Sequence, residues 1–154
     1  MKKTVCSLLV ILVILGAGYV SSANVKITES SLVRNAFGKV FPNAKAVKWE
    51  EDKKDFIVFF QDNKVANYCR LDAMGNFLEK GVAYTASLPT VIEDAIVARY
   101  EDAEEVDKYR VTLSDKTTAY LVVVENFSEY IEILVKDDGT VIRERQLPSE
   151  EDDD

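Results

Sequence analysis

The sequence predicts an α+β fold, a tandem repeat of one helix followed by a four-stranded antiparallel sheet. Three observations predict it. Apolar residues recur at three- and four-residue steps in two short segments, one from Ser31 and one from Leu88-Pro89. Each segment is followed by four extended stretches separated by turn residues. The two passes superpose: Val33, Phe37, Phe41, Ala44 and Val47 map onto Ile92, Ile96, Tyr100, Ala103 and Val106 at one constant offset.

The chain has 154 residues, 47% apolar and 30% charged, a globular composition that excludes collagen-like and disordered classes. Residues 1–23 have the order of a secretory signal peptide. Lys2 and Lys3 form the basic start, Leu8 to Leu15 is unbroken apolar sequence, and Ser21-Ser22-Ala23 supplies small residues for cleavage. The apolar run is shorter than the ~20 residues of a bilayer span, so no membrane span is expected after cleavage. Cys6 precedes that run, which argues against lipidation. The remaining chain divides into repeat 1 at 24–86, repeat 2 at 87–147 and an acidic tail at 148–154.

In repeat 1, Leu32, Val33, Ala36, Phe37, Val40 and Phe41 mark one helix face, with Ser30 or Ser31 as cap and Pro42 as stop. Asn43 to Trp49 is extended, and Glu50 to Asp55 reads as a charged turn. Phe56 to Phe60, Val65 to Leu71 and Phe77 to Tyr84 read as strands, with Asp72 to Asn76 a glycine-containing hairpin loop. Gly81 marks a weak point or bulge in the last of them. In repeat 2, Pro89 suits a first helical turn, and Val91, Ile92, Ala95, Ile96 and Tyr100 share a face. The strands are Ala103 to Leu113, Ala119 to Val124, Tyr130 to Lys136 and Val141 to Gln146, with Asn126 to Ser128 and Asp137 to Thr140 as turns.

Several residues together carry a family resemblance. They are Phe41-Pro42-Asn43-Ala44, Val47-Lys48-Trp49-Glu50, the alternation Phe56, Val58, Phe60, then Ala66 and Tyr68, then Asp72, Gly75 and Asn76, then Leu88-Pro89. The chain resembles the beta-lactamase-inhibitor-like, PepSY-like family of exported Bacteroidetes proteins over nearly all of residues 29–146. The resemblance implies a periplasmic or secreted protein of two PepSY-like repeats with no established enzymatic activity. The family name points to protein inhibition through a sheet surface, an analogy of fold. The inhibitors so named bear disulfides, whereas here only Cys69 follows the signal segment.

Chemistry is limited by what is absent. The chain has no His and a net charge of −8, which excludes imidazole-based catalysis and disfavours nucleic acid. Two cysteines cannot build a four-Cys metal site. Paired acids such as Glu50/Glu51, Glu104/Glu105 and Asp137/Asp138 lie in expected turns or flanks, where solvation keeps them ordinary. Cys69 lacks a His or a resolving Cys and reads as a buried core thiol. No catalytic residue, metal ligand or cofactor is therefore expected.

The informative signal is apolar excess on the strands. Phe56, Val58 and Phe60 facing the helix would leave Ile57 and Phe59 opposite. The same logic assigns Tyr68, Leu121, Val123 and Tyr130 to that second face. Ile57, Phe59, Tyr68, Leu121, Val123 and Tyr130 are the candidate partner-binding residues, for a protein or peptide. The alternative is that this face is covered by the other repeat or by a second copy in a homodimer. The functional expectation is a non-catalytic exported binding protein, periplasmic or secreted, that inhibits or holds an envelope or secreted protein. The alternatives are a structural or cation-binding envelope protein working through the acidic tail and, behind it, a carboxylate-dependent hydrolase.

Overall fold

A computed structural model describes residues 31–147. The expected signal segment, the candidate cap Ser30 and the expected acidic tail lie outside the described residues. The elements run in the order α1 (Ser31–Val40), β1 (Lys45–Asp52), β2 (Asp55–Asp62), β3 (Val65–Leu71), β4 (Phe77–Ala83), α2 (Thr90–Val97), β5 (Glu104–Leu113), β6 (Thr118–Asn126), β7 (Glu129–Lys136) and β8 (Val141–Gln146). The charged segment expected to turn at Glu50 to Asp55 is mostly ladder. Glu51 pairs with Phe56 and Asp52 with Asp55, so the turn itself is only Lys53 and Lys54.

The expected architecture of two separate helix-plus-four-strand repeats is overturned. All eight strands form one antiparallel sheet in the order β1-β2-β3-β4-β5-β6-β7-β8. The joint is β4 with β5, where Gly81 pairs with Val111 and Ala83 with Tyr109. The physical reason is the edge. Two four-stranded sheets would expose the ladders of β4 and β5, and an unpaired edge leaves a row of backbone donors and acceptors without partners. Pairing the two edges satisfies both. The sheet then curls into a half-barrel. Register shifts at Lys45/Lys48, Arg70/Leu71, Glu105/Asp107 and Leu134/Val135 supply bulges, and bulges bend strands and increase twist.

Both short helices lie on the outer face. Val33 and Phe37 of α1 pack on Phe56, Val58, Phe60, Cys69 and Leu71. The Phe37 and Phe60 rings meet edge to face with centroids 5.0 Å apart, a preferred aromatic geometry. On α2, Ile92 and Ile96 pack with Leu88 on Tyr120, Val122, Val124, Ile131, Ile133 and Val135. Each fully buried side chain of this size contributes roughly 1.5–3 kcal/mol, which is what holds helices of ten and eight residues that would not persist alone.

Two glycines fix how closely the hairpins approach those helices. Gly75 (φ +82°), between β3 and β4, would place a β-carbon 2.9 Å from Ala36 Cβ and 3.1 Å from Leu32 O. Gly139 (φ +86°), between β7 and β8, would place one 2.8 Å from Val91 Cγ2 and 3.2 Å from Val91 O. Both need the left-handed backbone and the missing side chain. Two other hairpins use two-residue turns with positive φ throughout: Asn63 (+50°) and Lys64 (+67°), and Phe127 (+49°) and Ser128 (+71°). Asn tolerates that region, whereas a bulky residue such as Phe is strained there by about 1–2 kcal/mol.

Candidate functional site

Curling turns the face away from the helices into a concave interior. Its apolar part is Ile57, Tyr68, Tyr109, Val111, Ala119, Leu121 and Leu134, with Phe59, Ala66, Ala83 and Leu113 against it. The strand alternation places all six candidate partner-binding residues on this side. The face is covered within the chain. Ile57 is 2% exposed, Tyr68 1%, Leu121 1% and Val123 5%. Only Phe59 and Tyr130 remain half-buried.

Polar groups complete the interior. The Tyr68 ring lies against Gly81, and its hydroxyl donates to Glu79 Oε2 at 3.0 Å. Glu79 on β4 is gripped at both oxygens by Arg143 of β8, with Nη2 to Oε2 at 2.9 Å. Arg143 reaches Glu132 of β7 at 3.3 Å, and Arg145 Nη2 donates to the other Glu132 oxygen at 2.7 Å. Arg145 also stands 3.6 Å from Glu50 of β1. The chain of contacts thus runs Tyr68, Glu79, Arg143, Glu132, Arg145, Glu50. It links β8 to β1 and β4, although β1 and β8 share no backbone pairing. Glu79 and Glu132 are 6% and 3% exposed, and carboxylates so buried persist in charged form only with partners. Elsewhere on this face, Arg70 is held by Asp52 at 3.0 Å and Asp55 at 2.9 Å.

Burial and charge set the ionisation of these groups. Burial pushes the Tyr68 phenol well up, and the adjacent Glu79 carboxylate adds to it. Tyr109 is raised in the same way, by burial and by Asp107, whose Oδ2 accepts its hydroxyl at 3.1 Å. Asp107 is itself raised by burial, against hydrogen bonds from the Lys108 amide and Tyr109. Burial works against the Arg143 charge, but the Glu79 hydrogen bonds and charge outweigh it and leave the guanidinium firmly protonated. On the other face, burial pushes the Cys69 thiol up to about 12. Chemically the interior is a set of carboxylate–arginine and carboxylate–phenol pairs that tie the curled sheet together, with Arg70 Nη1, Arg143 Nε and Arg145 Nε buried without a hydrogen-bond partner. Among the described residues no group of three or more His, Cys, Asp or Glu is placed to hold a metal.

Sequence reasoning missed Glu79, Glu132, Arg143 and Arg145. The available signal was parity. Glu132 pairs with Val123 across β6 and by strand alternation shares its face with Tyr130 and Leu134. A lone acid on an otherwise apolar face calls for a buried cation. Phe127, placed only as part of a turn, is 85% exposed at the β6–β7 tip.

No protein-family model and no curated protein matches the chain. Solved structures do resemble it, and all three that follow come from Bacteroides. A DUF2874 family protein from Bacteroides uniformis aligns at 20% identity and a TM-score of 0.53, covering 76% of this chain and 88% of that one. A protein from Bacteroides eggerthii, described as one of the "putative periplasmic proteins", aligns at 18% identity and 0.54, with 76% and 88% covered. A BLIP-like protein from Bacteroides fragilis aligns at 22% identity over 81% and 90% of the two chains, with a TM-score of 0.48, too loose an overlap to argue from. At these identities the likeness is one of fold. Among the described residues no helix is long and apolar enough to cross a membrane.

Proposed function

We propose that this chain is a non-catalytic exported binding protein that holds or inhibits a protein of the envelope or the secreted fraction. The observation that carries the reading is the chain of contacts from Tyr68 to Glu50. It commits the interior carboxylates to arginines and keeps the phenol protonated, so the interior works as scaffold and not as a reaction site. A general acid or base must face a substrate within hydrogen-bond reach, and these groups face each other. The eggerthii neighbour's description and the leader-like residues 1–23 support the exported compartment. The covered inner face redirects the expected mode of binding. The contact is proposed at the end of the sheet where Phe59 and Tyr130 stay half-exposed, not across the whole face.

The test pairs two measurements on purified protein beginning at Asn24. Immobilised protein is exposed to envelope and secreted fractions, and the captured protein is produced separately and titrated by calorimetry. A saturable complex of fixed stoichiometry is expected. In parallel, ester, peptide and glycoside substrates are assayed for turnover. Turnover that Glu79→Gln abolishes while the fold is retained would replace the binding reading with a catalytic one.

A further inference from the structure

Phe127 is the most exposed large apolar side chain among the described residues, at 85%. It occupies the first central position of the turn joining β6 to β7, at φ +49° with Ser128 following at +71°. The matching turn between β2 and β3 carries Asn63 at φ +50°, the residue type this backbone favours. Phe127 is therefore disfavoured twice, by its backbone and by water, with no compensating burial within the described chain. Local choices that break the folding rules without a packing gain are expected at functional positions.

Three acids stand at this tip. Glu125 pairs directly across the ladder with Glu104 of β5, a like-charge pair that weakens the sheet. Glu129 closes the hairpin opposite Asn126. Among the described residues Glu104, Glu125 and Glu129 have no cation partner, whereas nearby Glu105 is held by Lys108 at 2.6 Å. A partner that matches this tip must offer an apolar hollow with positive charge at its rim.

Taking the binding-protein reading as its basis, we propose that the β6–β7 hairpin is the docking element: Phe127 enters an apolar pocket of a protein partner, and Glu104, Glu125 and Glu129 meet lysines or arginines around its mouth. Aromatic residues, Phe included, are enriched at the core of protein interfaces, and the rim around that core is polar.

The test begins with a photo-crosslinking phenylalanine analogue placed at position 127 in the exported protein in cells. Met74, 71% exposed at the opposite end of the sheet, is the control position. An adduct with a protein at 127 and none at 74 is expected. That protein is then purified and its Kd measured. Phe127→Asn should weaken binding at least tenfold while raising Tm by about 2–4 °C, because Asn suits the turn. The triple variant Glu104→Gln, Glu125→Gln, Glu129→Gln should slow association and flatten its salt dependence. A partner held equally well by Phe127→Asn, or an adduct only with a second copy of this chain, would overturn the hairpin proposal while leaving a binding protein. A fall in Tm for Phe127→Asn would make Phe127 a packing residue and also overturn it. No adduct at 127 and no complex in the calorimeter would remove both readings.

Discussion

Tyr68 lies directly opposite Gly81 in the β3–β4 ladder, and its ring occupies the space a side chain at Gly81 would need. A β-carbon there would sit 2.1 Å from Tyr68 Cε1 and 2.5 Å from Cδ1. The ring runs along β4 from Gly81 to Glu79, two residues back on the same face, where its hydroxyl is accepted. Gly81→Ala should therefore lower stability by about 1–3 kcal/mol, the range for overpacking a filled interior. Urea unfolding measures it. In a Tyr68→Leu background the added cost of Gly81→Ala should shrink, and equal costs in both backgrounds would separate the two residues energetically.

Arg143 serves two buried carboxylates, Glu79 and Glu132. Arg143→Met should cost about 3–5 kcal/mol, because it strands buried charge and not because it deletes an attraction. Adding Glu79→Leu to Arg143→Met should recover part of that loss. Denaturant midpoints for the two single variants and the double complete the cycle. A double variant as unstable as the sum of the singles would contradict this account.

Cys69 is fully buried against α1, and its thiol is held up to about 12. Native protein beginning at Asn24 should leave a chromogenic disulfide reagent unreacted at pH 8, and the same protein unfolded in urea should consume one equivalent of it. Cys69→Ser should cost about 1–3 kcal/mol, the penalty for a hydroxyl buried without a partner.

Asp107 gives a pH signature of opposite sign to that of the exposed turn carboxylates. Burial raises its folded-state pKa above the unfolded value. The folded state then takes up the proton first, so this group's stabilising contribution is full below the ordinary carboxylate range and is lost as pH rises through the raised value. Asp72 is shifted down by hydrogen bonds from Asn76, side chain then backbone, so its contribution is present above the ordinary range and lost as pH falls. Asp107→Asn should gain Tm relative to wild type at pH 7.5 and lose that advantage by pH 4.5. Parallel Tm curves for the two proteins across that interval would refute the assignment.

Much of the secondary structure was legible because it rests on periodicity. Val33 and Phe37 on α1, Ile92 and Ile96 on α2, and the alternation through Phe56, Val58 and Phe60 name their buried faces by spacing alone. The joining of β4 to β5 was not legible, because an edge is a property of backbone groups that every residue carries alike. Gly81 and Val111 bear no mark saying they pair. The second face was legible as apolar at Ile57, Phe59 and Tyr68, and covering by the other repeat was one of its two expected readings; how the covering is achieved was not legible, since curvature arises from register shifts such as Arg70/Leu71 that leave no composition signal. The arginines of β8 look like solvated charges in VIRERQ, and only the folded sheet brings them to Glu79 and Glu132.

The ladder has a consequence for the order in which the molecule assembles. Every strand pairs with its neighbour in sequence, so hairpins form from nearby residues at small entropic cost and sheet growth is step by step. The clasp is different. Glu79 and Arg143 are 64 residues apart, and Arg145 reaches back to the first strand. Such distant contacts become available only when the whole ribbon has formed and coiled. Substitutions at Arg143 should accordingly speed unfolding far more than they slow folding, which would make the arginines of the last strand the latch on the lifetime of the native state.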